Sequence, residues 1–405
     1  MRIIISSLIM ALLLNQASYS AKNEQEKNLI DKNVKILAEK SIKKGVDYLL
    51  SKQQKNGSWM HHPAMTALSA VAIANSSSKI DAKIAQATEK GLEFIRKHVQ
   101  KDGSIWNKDE KNYPNYSTAV SLIALGFFNK PQDETIIRNA RKFLMNSQFS
   151  DVSPDNPFYG GVGYGRSLRP DLSNTQWALE ALYLTDHLDR EPFAKEKGAA
   201  KKADLMWERA QKFLSRVQNL PQTNDQGWVA SDPDNEGSFI YLPAEVEGNT
   251  MSKAGTYIYK GRKTLRGYGS MTYAGLKSMI YAKVDKNDPR VKAAFKWGMK
   301  NYSLKENPGM GQQGLYYYLH TMAKTFAVMG KTIVKDKNGK KHDWRKEMIA
   351  RITVTQRTNG SWFNETARWW ENIPELVTAY SLLTLEATID RDLTKVIIPQ
   401  KEEEK

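Results

Sequence analysis

The 405-residue chain contains no cysteine, which removes disulfides, thiolate metal sites and a lipid-modified N-terminal cysteine together. Histidine is scarce, six in all, and neither a metal nor a cofactor is expected. Past the first twenty residues no run approaches the roughly 18 uninterrupted apolar residues of a membrane-spanning helix. Acid is also in short supply: 44 Asp and Glu stand against 60 Lys and Arg, a formal charge of +16. No dense basic run is interleaved with aromatics as in a nucleic-acid module, so no nucleic-acid partner is expected. The excess charge has two readings. It is either a solvated basic surface, spread over residues such as Lys40, Lys43, Lys44, Lys201 and Lys202, or an attraction to an anionic membrane, an anionic polysaccharide or a phosphorylated ligand.

What the chain does have begins with a targeting pattern. Arg2, the mostly apolar run from Ile3 to Leu14, and the small residues Ala17, Ser18 and Ser20 read as a secretory signal over residues 1–20. A periplasmic or secreted protein is therefore expected. The far end, Lys401-Glu402-Glu403-Glu404-Lys405, is expected to be a disordered charged tail over residues 396–405.

Between these ends lies a repeat. Gly57-Ser58-Trp59 returns as Gly360-Ser361-Trp362, each four residues after a glutamine, Gln53 and Gln356, that closes an amphipathic helix. Apolar helical stretches follow, from Pro63 and from Pro374. Four more copies are read between them. Gln100 leads to Gly103-Ser104-Ile105-Trp106, Gln148 to Gly160-Gly161-Val162-Gly163-Tyr164, and Gln218 to Gly227-Trp228. An irregular fifth copy holds Pro308-Gly309-Met310-Gly311. The first helix of each unit is charged on one side, as in residues 89–97, and the second is apolar nearly all round, as in residues 64–74. A helix apolar all round is buried, whereas an amphipathic one faces water on one side. Six such units predict an all-α, (α/α)6 toroid over residues 21–395, an outer ring of helices around an inner one. Residues 229–267 are expected to form an insertion, either a lid or a small hairpin around Gly255.

The Gln-x-x-x-Gly-x-Trp unit resembles the QW repeat of squalene–hopene cyclases and the wider terpene cyclase and prenyltransferase β-subunit superfamily. The resemblance runs from about Ser41 to Ala387. It extends to exported bacterial repeat proteins through Gly163-Tyr164-Gly165-Arg166, Arg169 to Thr175, Tyr268 to Lys277, Tyr316 to His320, and Trp369-Trp370-Glu371. It implies a toroid with a central funnel for an apolar or isoprenoid-like ligand. Three chemistries that the resemblance implies are absent here. The acid of class II cyclases sits in Asp-x-Asp-Asp, and the nearest text is Asp232-Pro233-Asp234-Asn235. The zinc site of the prenyltransferases and the thioester of macroglobulin-type toroids both need a cysteine.

Chemistry is expected where the inner helices begin, since six helix N-termini facing one funnel favour an anion. His61, His62, Asp171, Tyr268, Tyr273 and His320 are the candidate catalytic residues. Arg166, Arg169, Asn174, Arg266, Gln312, Gln313, Tyr316, Trp369, Trp370 and Glu371 are the candidate ligand contacts. Each has a plainer reading. Ser173 with Gln176 fits a capping box, so Asp171 and Ser173 serve either a helix start or a pocket. His320 is either a core histidine or a catalyst, Trp369-Trp370 either core or a stacking platform, and the arginines either an anion clamp or ordinary loop partners. The Gly-aromatic turns, with Trp59, Trp106, Trp228 and Trp362, are expected to be structural. The functional expectation is a toroid binding a small apolar or anionic ligand, with a polysaccharide-active lyase-like toroid and a non-catalytic scaffold as alternatives.

Overall fold

The computed structural model describes residues 31–76, 81–109, 113–165 and 169–390; the expected signal, the charged tail and Arg166 lie outside the described residues. Twelve α-helices alternate along these residues. The outer ones are α1 (Lys32–Lys52), α3 (Ala82–Lys97), α5 (Glu134–Asn146), α7 (Ala199–Arg216), α9 (Pro289–Lys300) and α11 (Trp344–Val354). The inner ones are α2 (Pro63–Asn75), α4 (Pro114–Phe128), α6 (Leu172–Leu184), α8 (Gly269–Tyr281), α10 (Leu315–Val328) and α12 (Pro374–Thr388).

Local chemistry sets these boundaries. Asp31, Asp81, Asp171, Asp288 and Asp343 each accept a backbone N–H of the first turn of the helix that follows, satisfying donors with no intrahelical partner. Proline stands in the first turn of α2, α4, α9 and α12, where its missing N–H costs nothing. All thirteen residues of α2 are buried, whereas α3 buries the stripe Ile84, Ala87, Thr88, Gly91, Leu92, Phe94 and Ile95. The inner helices pack side by side in chain order, and α12 returns to pack on α2 and on α1. The ring is closed.

The turns between paired helices hold the ring together. Gly57, Gly103, Gly160, Gly237 and Gly360 all have φ of 88–89°, a left-handed conformation that glycine adopts without steric cost. Each also lies against a backbone carbonyl of the next repeat's outer helix: Lys90, Asn139, Arg209, Ala293 and Lys44 respectively. A Cβ at Gly360 would stand 2.3 Å from the Lys44 oxygen. In four of these turns the glutamine amide donates both to its own glycine carbonyl and to the neighbouring outer helix. Gln53, Gln148, Gln218 and Gln356 thus reach Ala87, Met206, Arg290 and Ser41. The residue two after the glycine donates its N–H to a threonine one turn inside the following inner helix. These pairs are Trp59–Thr66, Ile105–Thr118, Val162–Thr175, Phe239–Thr272 and Trp362–Thr378, at 2.8–3.1 Å.

That pattern corrects two details of the sequence reading. The fourth turn is Gly237-Ser238-Phe239, not Gly227-Trp228, because Gln218 bonds Gly237 across nineteen residues. In the second repeat the buried position belongs to Ile105, and Trp106 is only half-buried. The fifth turn departs from the rule: Asn307 Oδ1 accepts from Ser270 N at 2.9 Å, and Gly269 N donates to Pro308 O, which ties the turn to the start of α8. Two antiparallel hairpins complete the chain, β1 (Thr256–Tyr259) with β2 (Arg262–Leu265), and β3 (Ile333–Lys335) with β4 (Lys341–Asp343). The first turns at Lys260-Gly261, both with positive φ, rather than around Gly255, as suits a two-residue hairpin loop.

Candidate functional site

The inner helices begin at one end of the ring, and there a cavity of about 310 Å³ opens on the axis. Its wall is aromatic. Tyr116, Trp177, Tyr317 and Tyr380 come from the first two turns of α4, α6, α10 and α12, and Tyr113 and Tyr268 from the residues preceding α4 and α8. Tyr164, Tyr241, Trp369 and Trp370 are supplied by loops, and His62, Met65, Ser173, Ser270, Met271 and Leu376 fill the remaining wall. Among the described residues no carboxylate, lysine or arginine belongs to this lining. The hydroxyls of Tyr116 and Tyr380 face each other, and burial raises the first to a pKa above its ordinary value.

The mouth is held by backbone in an uncommon conformation. Met60 and His61 have φ of 58° and 55°, and Trp369 and Trp370 have 57° and 65°. Consecutive left-handed residues of this bulk store strain of roughly 1–3 kcal/mol each. Both pairs sit where the first and sixth repeats meet. Trp370 lies edge-on to His62 with ring centroids 6.2 Å apart, and Trp369 packs on Gly314, where a Cβ would come within 2.9 Å of its ring. The two tryptophans remain 42% and 45% exposed, so strain is used to present apolar rings at the opening.

Beneath the cavity the floor is a stack. His320 lies between Trp177 and Tyr380, at centroid distances of 6.3 and 5.4 Å and tilts of 20° and 26°. Among the described residues neither of its ring nitrogens has a hydrogen-bond partner. Burial, then the Lys324 and Lys277 ammoniums, hold its pKa well below the ordinary value. One helical turn deeper, Glu180 of α6 bonds Lys277 of α8 at 2.5 Å and Lys324 of α10. Burial opposes ionisation of Glu180, but the two ammoniums outweigh it and bring its pKa to about 2. Lone charges in the interior persist only when paired in this way.

The sequence candidates divide by place. His62, Tyr268, Trp369 and Trp370 line the cavity. His62 Nδ1 accepts the N–H of Ala64 at 3.1 Å, and burial, with His98 adding to it, brings its pKa to about 4. His61 is exposed beside Asn56. Asp171 is fully buried behind Tyr164 and Tyr241, accepts from Asn174 N at 2.9 Å and Asn174 Nδ2 at 2.7 Å, and burial raises it to about 6. It therefore caps α6 and also backs the cavity wall. Tyr273 points outward against Gly298 of α9, and Tyr316 faces Thr355 at the end of α11. Glu371 accepts from Tyr316 N, Tyr317 N and Asn364 Nδ2, which makes it the cap of α10. Gln312 bonds Lys305 O, Gln313 bonds Arg368, and Arg266 lies over the Tyr257 ring. Asp232 accepts from Tyr257 and Asp234 pairs with Lys300, so the acidic loop lies outside the cavity. Among the described residues no group of three or more His, Asp or Glu is placed to hold a metal ion.

Tyr113, Tyr116, Trp177, Tyr241 and Tyr380 were not singled out from sequence, nor were Glu180, Lys277 and Lys324. Their signal is nonetheless there: aromatics recur in the first two turns of inner helices, and a lone charge in an otherwise apolar helix marks a buried pair.

Residues 60–203 match the family model of the squalene-hopene cyclase C-terminal domain. No curated protein matches the chain in sequence. The fold is shared with type II terpene cyclase MstE from Scytonema, at a TM-score of 0.52 and 12% identity over 88% of this chain and 99% of that one. It is shared equally with an α-1,6-mannanase, GH76A, of Salegentibacter, seen as an inactive variant in complex with α-1,6-mannotriose, at a TM-score of 0.54 and 10% identity over 87% and 98%. The chain has the terpenoid-cyclase-like α/α toroid fold.

Proposed function

We propose that this terpenoid-cyclase-like toroid binds an apolar, isoprenoid-like ligand in the aromatic cavity on its axis. The observation that carries the reading is the lining: ring faces and two methionines, with no ionised side chain among the described residues, in a volume of about 310 Å³. That volume falls at the lower end of the range for small-molecule sites, about 300–1,000 Å³. Burying apolar surface there is worth about 25 cal/mol per Å², and the hydroxyls of the tyrosines orient a ligand without requiring charge. The family match over residues 60–203 supports the same reading. The chain's own acid candidate, Asp171, stands behind Tyr241 and Tyr164 rather than in the cavity wall, so the reading is of binding, with no step of catalysis assigned.

A second reading, an oligosaccharide ligand, draws on the exposed Trp369-Trp370 pair at the mouth, since sugars stack on such rings, and on the shared fold of the mannanase. Native mass spectrometry of the protein purified from its own cells, followed by organic extraction, separates the two. A stoichiometric isoprenoid lipid supports the apolar reading, and a Trp177→Ala variant is then expected to purify without it. Protein that carries no lipid and binds none of a panel of isoprenoid alcohols, yet binds an oligosaccharide, would overturn that reading in favour of the second.

A further inference from the structure

Three cations from three separate segments meet at the rim of the cavity. Arg169 leads into α6, Lys253 lies in the insertion ahead of β1, and Arg368 begins the short turn that carries the mouth tryptophans. Lys253 Nζ stands 4.7 Å above the Tyr241 ring and Arg368 Cζ 4.6 Å above Trp369; both rings line the cavity. The three are close enough to feel one another. Burial and then the charges of Arg169 and Arg368 lower the pKa of Lys253, and the charge of Arg368 is also felt at Tyr268.

Among the described residues none of the three forms an ion pair, although many other arginines and lysines of the chain do. Among the described residues Arg169 Nε is buried without a hydrogen-bond partner, and Arg368 gives one bond, to Gln313 Oε1. Asp171, whose carboxylate acts on Lys253, has both oxygens engaged by Asn174 and lies buried behind the tyrosines. Like charges gathered by distant parts of a chain repel, and spare guanidinium and ammonium donors are the groups that recognise carboxylate and phosphate.

We propose that Arg169, Lys253 and Arg368 form a subsite for the anionic head, carboxylate or phosphate, of an amphiphilic ligand whose apolar body occupies the aromatic cavity. This rests on the cavity reading above and adds to it the class of ligand. The aromatic wall takes the body by surface burial, and the cations take the head at the rim, where Lys253 and Arg368 lie over ring faces.

The test titrates the full-length protein with dodecanol, dodecanoate and dodecyl phosphate below their micelle concentrations, and with acetate and inorganic phosphate alone. Binding is followed by the fluorescence of Trp177, Trp369 and Trp370. The anionic amphiphiles are expected to bind about tenfold tighter than dodecanol or better, a gap that narrows as salt screens the rim. Lys253→Met and Arg368→Gln are each expected to cut that gap severalfold, with thermal melts showing that the variants fold. The preferred head, carboxylate or phosphate, identifies the source. Equal affinity for neutral and anionic chains, or a gap that neither variant moves, overturns the subsite and leaves the apolar cavity standing. Acetate or phosphate alone binding as tightly as the amphiphiles overturns the coupling of head to body. Anions that bind only without a chain, with no dodecanol binding, overturn the cavity reading itself.

Discussion

Substituting Gly360 by alanine tests whether the toroid is held shut by its last turn. Gly360 has φ of 88°, a conformation costing an L-residue about 1–2 kcal/mol. Its Cβ would also stand 2.3 Å from Lys44 O of α1, so the sixth turn must withdraw from the first helix. Withdrawal stretches the Gln356 Nε2 bond to Ser41 O, now 2.9 Å, worth about 1 kcal/mol. It also lifts Trp362 off Gly45, where the ring is so close that a Cβ would lie 2.8 Å from it. The loosened ring contact adds about 1 kcal/mol more, so the sum is about 3–4 kcal/mol. Gly261, in the β1–β2 turn, has φ of 77° and nothing within 4 Å of an added Cβ, so Gly261→Ala carries only the backbone term. With an unfolding entropy of about 0.8 kcal/mol per kelvin for a chain of this size, Gly360→Ala is expected to lower Tm by about 4–5 °C and Gly261→Ala by about 1–2 °C. Differential scanning calorimetry on both variants decides the matter. Equal shifts would refute the claim that this turn braces the seam of the ring.

Glu180→Gln leaves the Lys277 and Lys324 ammoniums buried without their carboxylate and is expected to cost about 3–5 kcal/mol, measured by urea unfolding; a loss below 1 kcal/mol would show the triad to be solvated. Because the folded pKa of Glu180 is depressed to about 2, its contribution is fully present above the unfolded value of about 4.3 and is lost as pH falls from there towards 2. The wild type is therefore expected to lose stability over that window faster than the Gln variant. Asp171 runs the other way: its folded pKa is raised to about 6, so its burial favours folding below about 3.9 and progressively opposes it as pH rises through 6. Asp171→Asn is thus expected to cost less at pH 8 than at pH 5, and a cost independent of pH would contradict the buried carboxylate. Thr378→Val keeps the shape but strands the Trp362 N–H that now bonds Thr378 Oγ1 at 3.1 Å, for an expected loss of about 1–3 kcal/mol; a neutral result in chemical unfolding would show that the N–H finds another partner.

Much of the fold was legible because its signals are local. Alternation of amphipathic and wholly apolar helices, with a glutamine and a glycine closing all but the fifth pair, gave the two rings and the six units. The fourth turn was misplaced because Gly227-Trp228 carries the same letters as a true turn, whereas the structural criterion is the pair of bonds from Gln218 to Gly237 and Arg290. Text within a loop does not show which carbonyl an amide will reach. The candidate site was legible in its location and less so in its members. His62, Tyr268, Trp369 and Trp370 were named for their place before inner helices and do line the cavity. Tyr273, Tyr316 and Glu371 occupy equally suggestive positions but turn towards α9, α11 and the α10 N-terminus.

By itself the sequence determined the helices, their inner or outer station and the absence of thiol chemistry, because periodicity, capping and composition act between neighbours along the chain. Only the tertiary structure decided which rings meet on the axis, that Glu180 lies between two lysines drawn from helices 97 and 144 residues away, and that Lys253 and Arg368 stand over rings of one cavity. Those outcomes depend on the angle at which each helix enters a closed ring. That angle is set by all six interfaces at once, so no single stretch of residues carries it.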